Sequence, residues 1–241
     1  MIIATWNLNN RVGKVRFRPE SVQAAIAIGA DLIVFTEFYP RQYEGQFRSA
    51  LVQAGWPFQM MSCEPTEVAN RILIASRFPL SLQNIVLPDF DQQFPSNLLG
   101  VTLPTVGLSV LGVRVPAYTG DTAPLLFKAW EWIEDTAAYL KHNPTVILGD
   151  LNVSTTSGRS RAGDHFRRII ADGWKRAEPI DGSTFFSNRG HETEIDHILA
   201  SSHCTISNPV VIKQVSCFSI AGGSNSISDH AILMCNIEIK Y

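Results

Sequence analysis

The chain has 241 residues, with 20 Lys and Arg against 22 Asp and Glu, a formal charge of −2 and 45% hydrophobic residues. At this size a chain buries roughly 70–75% of the surface its unfolded form exposes, so a substantial core forms without metal or disulfide staples. Charged residues make up only 17% and mean hydropathy is +0.05, which excludes a disordered chain. The near-neutral balance argues against a stable nucleic-acid binder that relies on bulk positive charge, though not against an enzyme that turns such a substrate over.

Taken in order, residues 2–6 read as a strand that ends at Asn7, with Asn9 two positions on. Over 20–29, Val22, Ala25, Ile26 and Gly29 fall at helical spacing and predict a helix with that face inward. Residues 31–37 form a second strand closing on Glu37, 71–76 a third, and 107–116 a fourth that carries Arg114 ahead of Pro116. From 123 to 142, the stripe Leu126, Trp130, Ile133, Ala137 and Leu140 predicts a long helix packed on a sheet. A strand over 145–148 runs into Gly149-Asp150-Leu151-Asn152. A third helix covers 164–171, with Phe166, Ile169 and Ile170 inward. Residues 194–200 form a strand containing Asp196, and the last strand, 230–239, follows Ser228-Asp229-His230. The Gly-, Ser- and Asn-rich run 219–228 reads as a flexible loop feeding that cluster.

No repeat and no Pro/Gly/Ser-rich linker divides the chain, so a single domain over 1–241 is expected. Its apolar runs fall far short of the roughly 20 residues that span a bilayer, so no membrane partner is expected. The opening residues read as a strand rather than a secretory leader, which predicts a cytoplasmic setting. Cys63, Cys204, Cys217 and Cys235 lie far apart, without zinc-ligand spacing, and are expected to be reduced and mostly buried.

Polar residues arrive repeatedly where strands end: Asn7, Asn9, Glu37, Asp150, Asn152, Asp196, Asp229 and His230. Ligands of open α/β sheets bind at such ends. Carboxylate and amide oxygens are hard donors suited to Mg²⁺ or Mn²⁺, and thiols are missing from the set. A His beside carboxylates can stabilise developing negative charge while an Asp orients water. Together they describe metal-assisted cleavage of a phosphoester.

The same residues carry a resemblance. Thr5-Trp6-Asn7-Leu8-Asn9, Phe35-Thr36-Glu37, the strand 70–79, Gly149-Asp150-Leu151-Asn152, Ile195-Asp196-His197-Ile198 and Ser228-Asp229-His230 follow one another as in the endonuclease/exonuclease/phosphatase superfamily. The resemblance implies an α/β fold, a four-layer α/β/β/α sandwich of two packed mixed sheets with helices outside. It implies a divalent-metal-dependent phosphodiesterase, foremost a nuclease acting on DNA or RNA. The alternatives it leaves are a phosphatase or a phospholipid or sugar-phosphate diesterase of the same fold, with a small phosphoester as substrate. A silent binding module is the remaining reading, and the presence of Glu37, Asp150 and His230 argues against it.

In that family Glu37 would hold Mg²⁺ (or Mn²⁺), helped by Asn7, Asn9 and Asp229. Asp150 would orient or deprotonate the attacking water, with Asn152 beside it, and His230 paired with Asp196 would act on the scissile phosphate. Arg114 stands where the family commonly has Tyr or His, and a guanidinium there can clamp a phosphate oxygen through two hydrogen bonds. Thr193-Glu194 stands where abasic-site members tend to carry a bulky apolar residue followed by Arg. Arg159 and Arg161 are candidate phosphate contacts in a loop, and Phe185, Asn188 and Arg189 a candidate platform for a base. A monomer is the favoured state.

Overall fold

A computed structural model describes residues 1–10, 18–63, 70–155 and 160–240. The chain runs β1 (Ile2–Asn7), α1 (Pro19–Ile28), β2 (Leu32–Phe38), α2 (Glu44–Gln53), β3 (Phe58–Met61), β4 (Arg71–Ser76), β5 (Ser81–Leu82) and β6 (Leu98–Leu103). It continues with β7 (Leu108–Arg114), α3 (Ala123–Leu140), β8 (Thr145–Asp150), α4 (Arg161–Ala171), β9 (Lys175–Arg176), β10 (Phe185–Phe186), β11 (Glu192–Thr193) and β12 (Asp196–Ala200). The last elements are β13 (Cys204–Ile212), the short hairpin β14 (Gln214–Val215) and β15 (Phe218–Ser219), and β16 (Ile232–Ile239).

Two six-stranded sheets carry the architecture, ordered β13-β16-β1-β2-β4-β3 and β5-β6-β7-β8-β12-β9. Each is mixed: β1–β2 and β7–β8 pair in parallel, while β1–β16, β2–β4 and β8–β12 pair antiparallel. The alternation of side chains along a strand decides the layers. Ile3, Leu32, Val34, Ile72 and Ile74 of the first sheet meet Leu99, Val101, Val110, Val146, Leu148 and Ile198 of the second in one buried core. The opposite face of the first sheet, with Ala4, Trp6, Ile33, Phe35 and Leu73, packs on Val22 and Ala25 of α1 and Phe47 and Leu51 of α2. The outer face of the second, with Leu111, Val113, Ile147 and Leu199, packs on Trp130, Ile133 and Ala137 of α3 and Phe166 and Ile169 of α4. The result is the expected α/β/β/α sandwich. Burying each such large side chain stabilises by about 1.5–3 kcal/mol, so no single contact carries the fold.

Several expectations need correction. Ile26 points to solvent at 45% exposure; the inward face of α1 is Ser21, Val22, Ala24 and Ala25. The fourth helix begins at Arg161 rather than 164, because the Ser160 hydroxyl accepts from the Gly163 amide and caps it. Ile170 is only partly buried. Cys204 and Cys235 are buried, but Cys63 and Cys217 are exposed. Among the described residues no helix is long and apolar enough to cross a membrane.

Candidate active site

Strands β1 and β2 of one sheet and β7, β8 and β12 of the other end along the same edge of the sandwich, and the polar residues gather there. Asp150 closes β8, and its neighbours across the ladder are Arg114 on β7 and Asp196 on β12. Gly149 makes this approach possible. Its φ is +146°, and a Cβ there would lie 1.8 Å from the Val113 carbonyl oxygen. Any side chain would therefore push β8 away from β7 and carry Asp150 with it.

Asp150 is fixed from both sides. Asn7, at the end of β1, reaches across from the other sheet and donates Nδ2–H to Asp150 Oδ2 at 2.9 Å. The Asn152 backbone N–H donates to Oδ1 at 3.1 Å, and the Asn152 side chain donates to the Val115 carbonyl. Asn152 itself sits at φ +51°, a conformation Asn tolerates better than most residues. Burial raises the Asp150 pKa well above the ordinary carboxylate range, and the neighbouring Asp196 charge raises it further. Such a carboxylate is suited to accepting a proton near neutral pH.

His230 pairs with Asp196. The imidazole Nδ1–H donates to Asp196 Oδ2 at 2.8 Å, leaving Nε2 for a substrate. Asp196 is fully buried, its backbone N–H held by the Thr184 hydroxyl at 3.0 Å, and its Oδ1 has no hydrogen-bond partner among the described residues. Burial alone would lower the His230 pKa, but the Asp196 carboxylate, joined by Asp150 and Asp229, outweighs it and raises the value to about 9. The ring is thus an imidazolium at neutral pH, the form that best stabilises negative charge. Ser228 ties this cluster to β1: its hydroxyl donates to the Asn7 carbonyl at 2.7 Å and accepts from the His230 amide at 3.1 Å. The Trp6 indole N–H adds a bond to the His230 carbonyl.

Glu37 lies apart from this cluster. A register shift in β2 between Phe35 and Phe38 places it at φ +52°, turned out of the ladder. Arg114 donates Nε–H and Nη2–H to the same oxygen, Glu37 Oε1, at 3.0 and 2.7 Å. Its Nη1–H goes to Asn97 Oδ1 at 3.2 Å, and Asn10 donates to Glu37 Oε2 at 2.7 Å. Beside the pair opens a cavity of about 340 Å³, lined in part by Asn10, Tyr39, Asp91, Asn97, Arg114 and Tyr118. The Tyr118 hydroxyl donates to Asp91 at 2.6 Å within it.

The donors at this edge are oxygens, which suits a hard divalent cation and no soft one. Glu37 is the carboxylate on this side, its oxygens bonded to Arg114 and Asn10, while Asn7, Asn9 and Asp229 come from distant parts of the chain. The described residues contain no group of three His, Cys, Asp or Glu able to hold an ion. The Asn7 side chain is held at both ends, its Oδ1 accepting from the Asn9 amide with one lone pair to spare and its Nδ2 donating to Asp150. Asn9, two residues on, stands at φ +46°.

The remaining expected contacts separate. Phe185 lies with its ring 5.1 Å from the His230 ring, whereas Phe186 is 8% exposed and packs with Ala221 and Ala231. Asn188 lines a second cavity, of about 400 Å³, together with His191, Gly222 and Asp229, and Arg189 is exposed in the adjoining turn. Arg161 is not in a loop: it is the first residue of α4 and its guanidinium lies 5.0 Å from the Phe127 ring centre. Arg159 lies outside the described residues. Glu194 pairs with Arg176 and accepts from the Thr155 hydroxyl, so it contributes no basic contact. Asn10, Asn97 and Thr184 support the site without a sequence motif of their own, and only Asn10 carried a signal, as a neighbour of Asn9, whereas Ser228 belongs to the Ser228-Asp229-His230 motif. His197, beside Asp196, is a core residue that donates Nε2–H to the Val153 carbonyl at 2.8 Å. Burial lowers its pKa and keeps it neutral.

Solved structures share this fold at low identity. A 3' phosphatase from Neisseria bound to product DNA hairpin superposes with a TM-score of 0.74 at 20% identity, covering 99% of both chains. A 3'-5' exonuclease from Neisseria meningitidis gives 0.69 at 21% identity over 100% of both. An endonuclease/exonuclease/phosphatase protein from Beutenbergia cavernae gives 0.74 at 16% identity, covering 99% of this chain and 71% of that one. No curated protein matches the chain. The family model, however, matches residues 4–230, a span that holds every residue from Asn7 to His230 discussed above, and the chain belongs to the Endonuclease/Exonuclease/phosphatase family.

Proposed function

We propose that this protein is a divalent-metal-dependent phosphodiesterase that hydrolyses nucleic acid, working as a single domain over residues 1–241. The observation that carries the reading is the Asp150 carboxylate held at one sheet edge by Asn7 and Asn152, with the Asp196–His230 pair beside it and the Glu37–Arg114 pair opposite. DNA as substrate is supported by the two Neisseria proteins, one a phosphatase seen with a DNA product and the other an exonuclease.

In this reading Asp150 orients a water for attack on phosphorus and takes its proton, which its raised pKa favours. As the new P–O bond forms and the bond to the leaving alcohol breaks, negative charge grows on the phosphate oxygens. His230 Nε2–H donates to one of them, and Asp196 holds the ring in the tautomer and charge state that permit it. Asn152 fixes Asp150, Asn188 lines the cavity of about 400 Å³ beside Asp229, and the Phe185 ring packs on His230. Glu37, with Asn7, Asn9 and Asp229, would hold Mg²⁺ or Mn²⁺, which supplies Lewis-acid stabilisation of the leaving oxygen.

The test is hydrolysis of a panel comprising a simple phosphodiester, single- and double-stranded DNA, an abasic duplex, RNA and a phosphoinositide head group. Cleavage of DNA that EDTA abolishes supports the reading. Activity confined to the simple diester or the head group would move the substrate to a small or lipid phosphoester, and cleavage that survives EDTA would overturn the metal requirement.

A further inference from the structure

We propose that Arg114 is a resident cation on Glu37: a divalent ion must displace it, and the displaced guanidinium then becomes the clamp for the substrate phosphate. This rests on the metal-dependent reading above and adds an order of events to it.

The geometry leaves little room for an ion beside the intact pair. Two guanidinium N–H groups converge on Glu37 Oε1, and Asn10 occupies Oε2. Both partners are mostly shielded, with side-chain exposures of 16% and 14%. In so sheltered a place the attraction that holds the pair is large, and so is the repulsion between a guanidinium and a dication brought to the same carboxylate. The two cations therefore compete for Glu37 even if they choose different oxygens.

The structure also provides a way out for the guanidinium. Arg114 is the last residue of β7, anchored at its Cα by the ladder to Asp150, so it stays at the reacting edge whatever its side chain does. It borders the cavity of about 340 Å³, where Asn97 already accepts one of its N–H groups and Asp91 supplies a carboxylate. Its long stem and planar fork suit both partners: a carboxylate while the ion is absent, and a phosphate with the same bidentate geometry once it is present. Phosphate binding would in turn draw Arg114 from Glu37 and strengthen ion binding, because coupling between two sites is reciprocal.

The experiment measures Mn²⁺ binding to the full chain, without substrate, by calorimetry and by the thermal shift the ion produces. Removing the competitor, Arg114→Met should bind Mn²⁺ about tenfold tighter than wild type, a coupling of ordinary size. Arg114→Lys, which keeps a charge but loses the fork, should restore part of the wild-type weakness, and Glu37→Gln should abolish binding in either background. A merely structural Arg114 would predict equal or weaker binding in Arg114→Met. Circular dichroism verifies folding of each variant, and should Arg114→Met not fold, the Arg114→Lys affinity decides: equal to or weaker than wild type overturns the proposal. Equal Mn²⁺ affinity in wild type and folded variants removes this inference and leaves the metal reading standing. If none of the proteins binds Mn²⁺ and cleavage persists in EDTA, the metal reading falls and takes the inference with it.

Discussion

The two ends of the site are built differently. On one side, Asp150, Asp196 and His230 are nearly or fully buried and locked by neutral partners: the Asn7 amide and the Asn152 backbone N–H donate to Asp150, and the Thr184 and Ser228 hydroxyls accept from the Asp196 and His230 backbone amides. On the other, Glu37 and Arg114 hold each other as an ion pair at the mouth of a polar cavity, with Glu37 on strained backbone. In the proposed reaction the first arrangement preorganises the groups that would handle the water and the phosphate charge, so they need not reorganise. The second offers a carboxylate whose partner can be exchanged. In the proposed reaction, rigidity sits where proton and charge would be placed, and exchangeability where a cation would enter.

The comparison breaks most decisively on the rigid side. His230→Ala should lower kcat/KM about a thousandfold in a protein that still folds, and should also lower the melting temperature because Asp196 is left buried without its partner, measured by steady-state hydrolysis beside thermal denaturation. A rate within tenfold of wild type would remove His230 from the chemistry. Next comes Gly149→Ala, where the added methyl meets the Val113 carbonyl and the backbone is already in a glycine conformation. It should destabilise by roughly 3 kcal/mol in a urea melt and reduce activity in the protein that still folds.

The Asp196–His230 bond makes a pH prediction. With its pKa raised to about 9 from 6.5, His230 contributes stability that is present in full below pH 6.5 and is lost as pH rises through about 9. An NMR titration of the metal-free protein should show His230 holding its proton to about pH 9. In Asp196→Asn the ring should titrate at or below 6.5, since burial then acts against much less opposition. The smallest effect belongs to the exchangeable side: Asn97→Ala removes one of the three bonds to Arg114 and should shift KM by only about threefold, as loss of a single neutral acceptor does.

Much of the rigid side was legible in the sequence, because Asn7 and Asp150 end strands that are nearly continuous apolar runs, Asp196 begins one and His230 stands just ahead of another. Asn7 follows a buried β1, Asp150 a buried β8, and the Trp130 stripe announces α3 without ambiguity. The weaker elements were not. Helix α2 is short, carries Gly45 and buries only Phe47 and Leu51, so its periodicity barely rises above the background. Strand β13 is largely half-exposed and includes Pro209 beside a register shift, which hides its two-residue repeat. Arg161 looked like a loop cation because the Ser160 cap before it was not recognised as a helix start. The Asn97 partner of Arg114 was illegible for a different reason: it comes from a stretch with no motif, and only the packing of β6 beside β7 brings it to the guanidinium.

The central claim is that Asp150 drives metal-dependent hydrolysis of a phosphodiester in DNA. The most direct measurement is single-turnover cleavage of an end-labelled DNA duplex and its single strand in Mg²⁺, wild type against Asp150→Asn, with Mn²⁺ binding recorded on both proteins. The account predicts cleavage by wild type and a loss of two to four orders of magnitude in the variant, the size expected for a lost general base, with Mn²⁺ affinity retained. Cleavage by Asp150→Asn at the wild-type rate, or no cleavage of either DNA by a wild type that binds Mn²⁺, would contradict it.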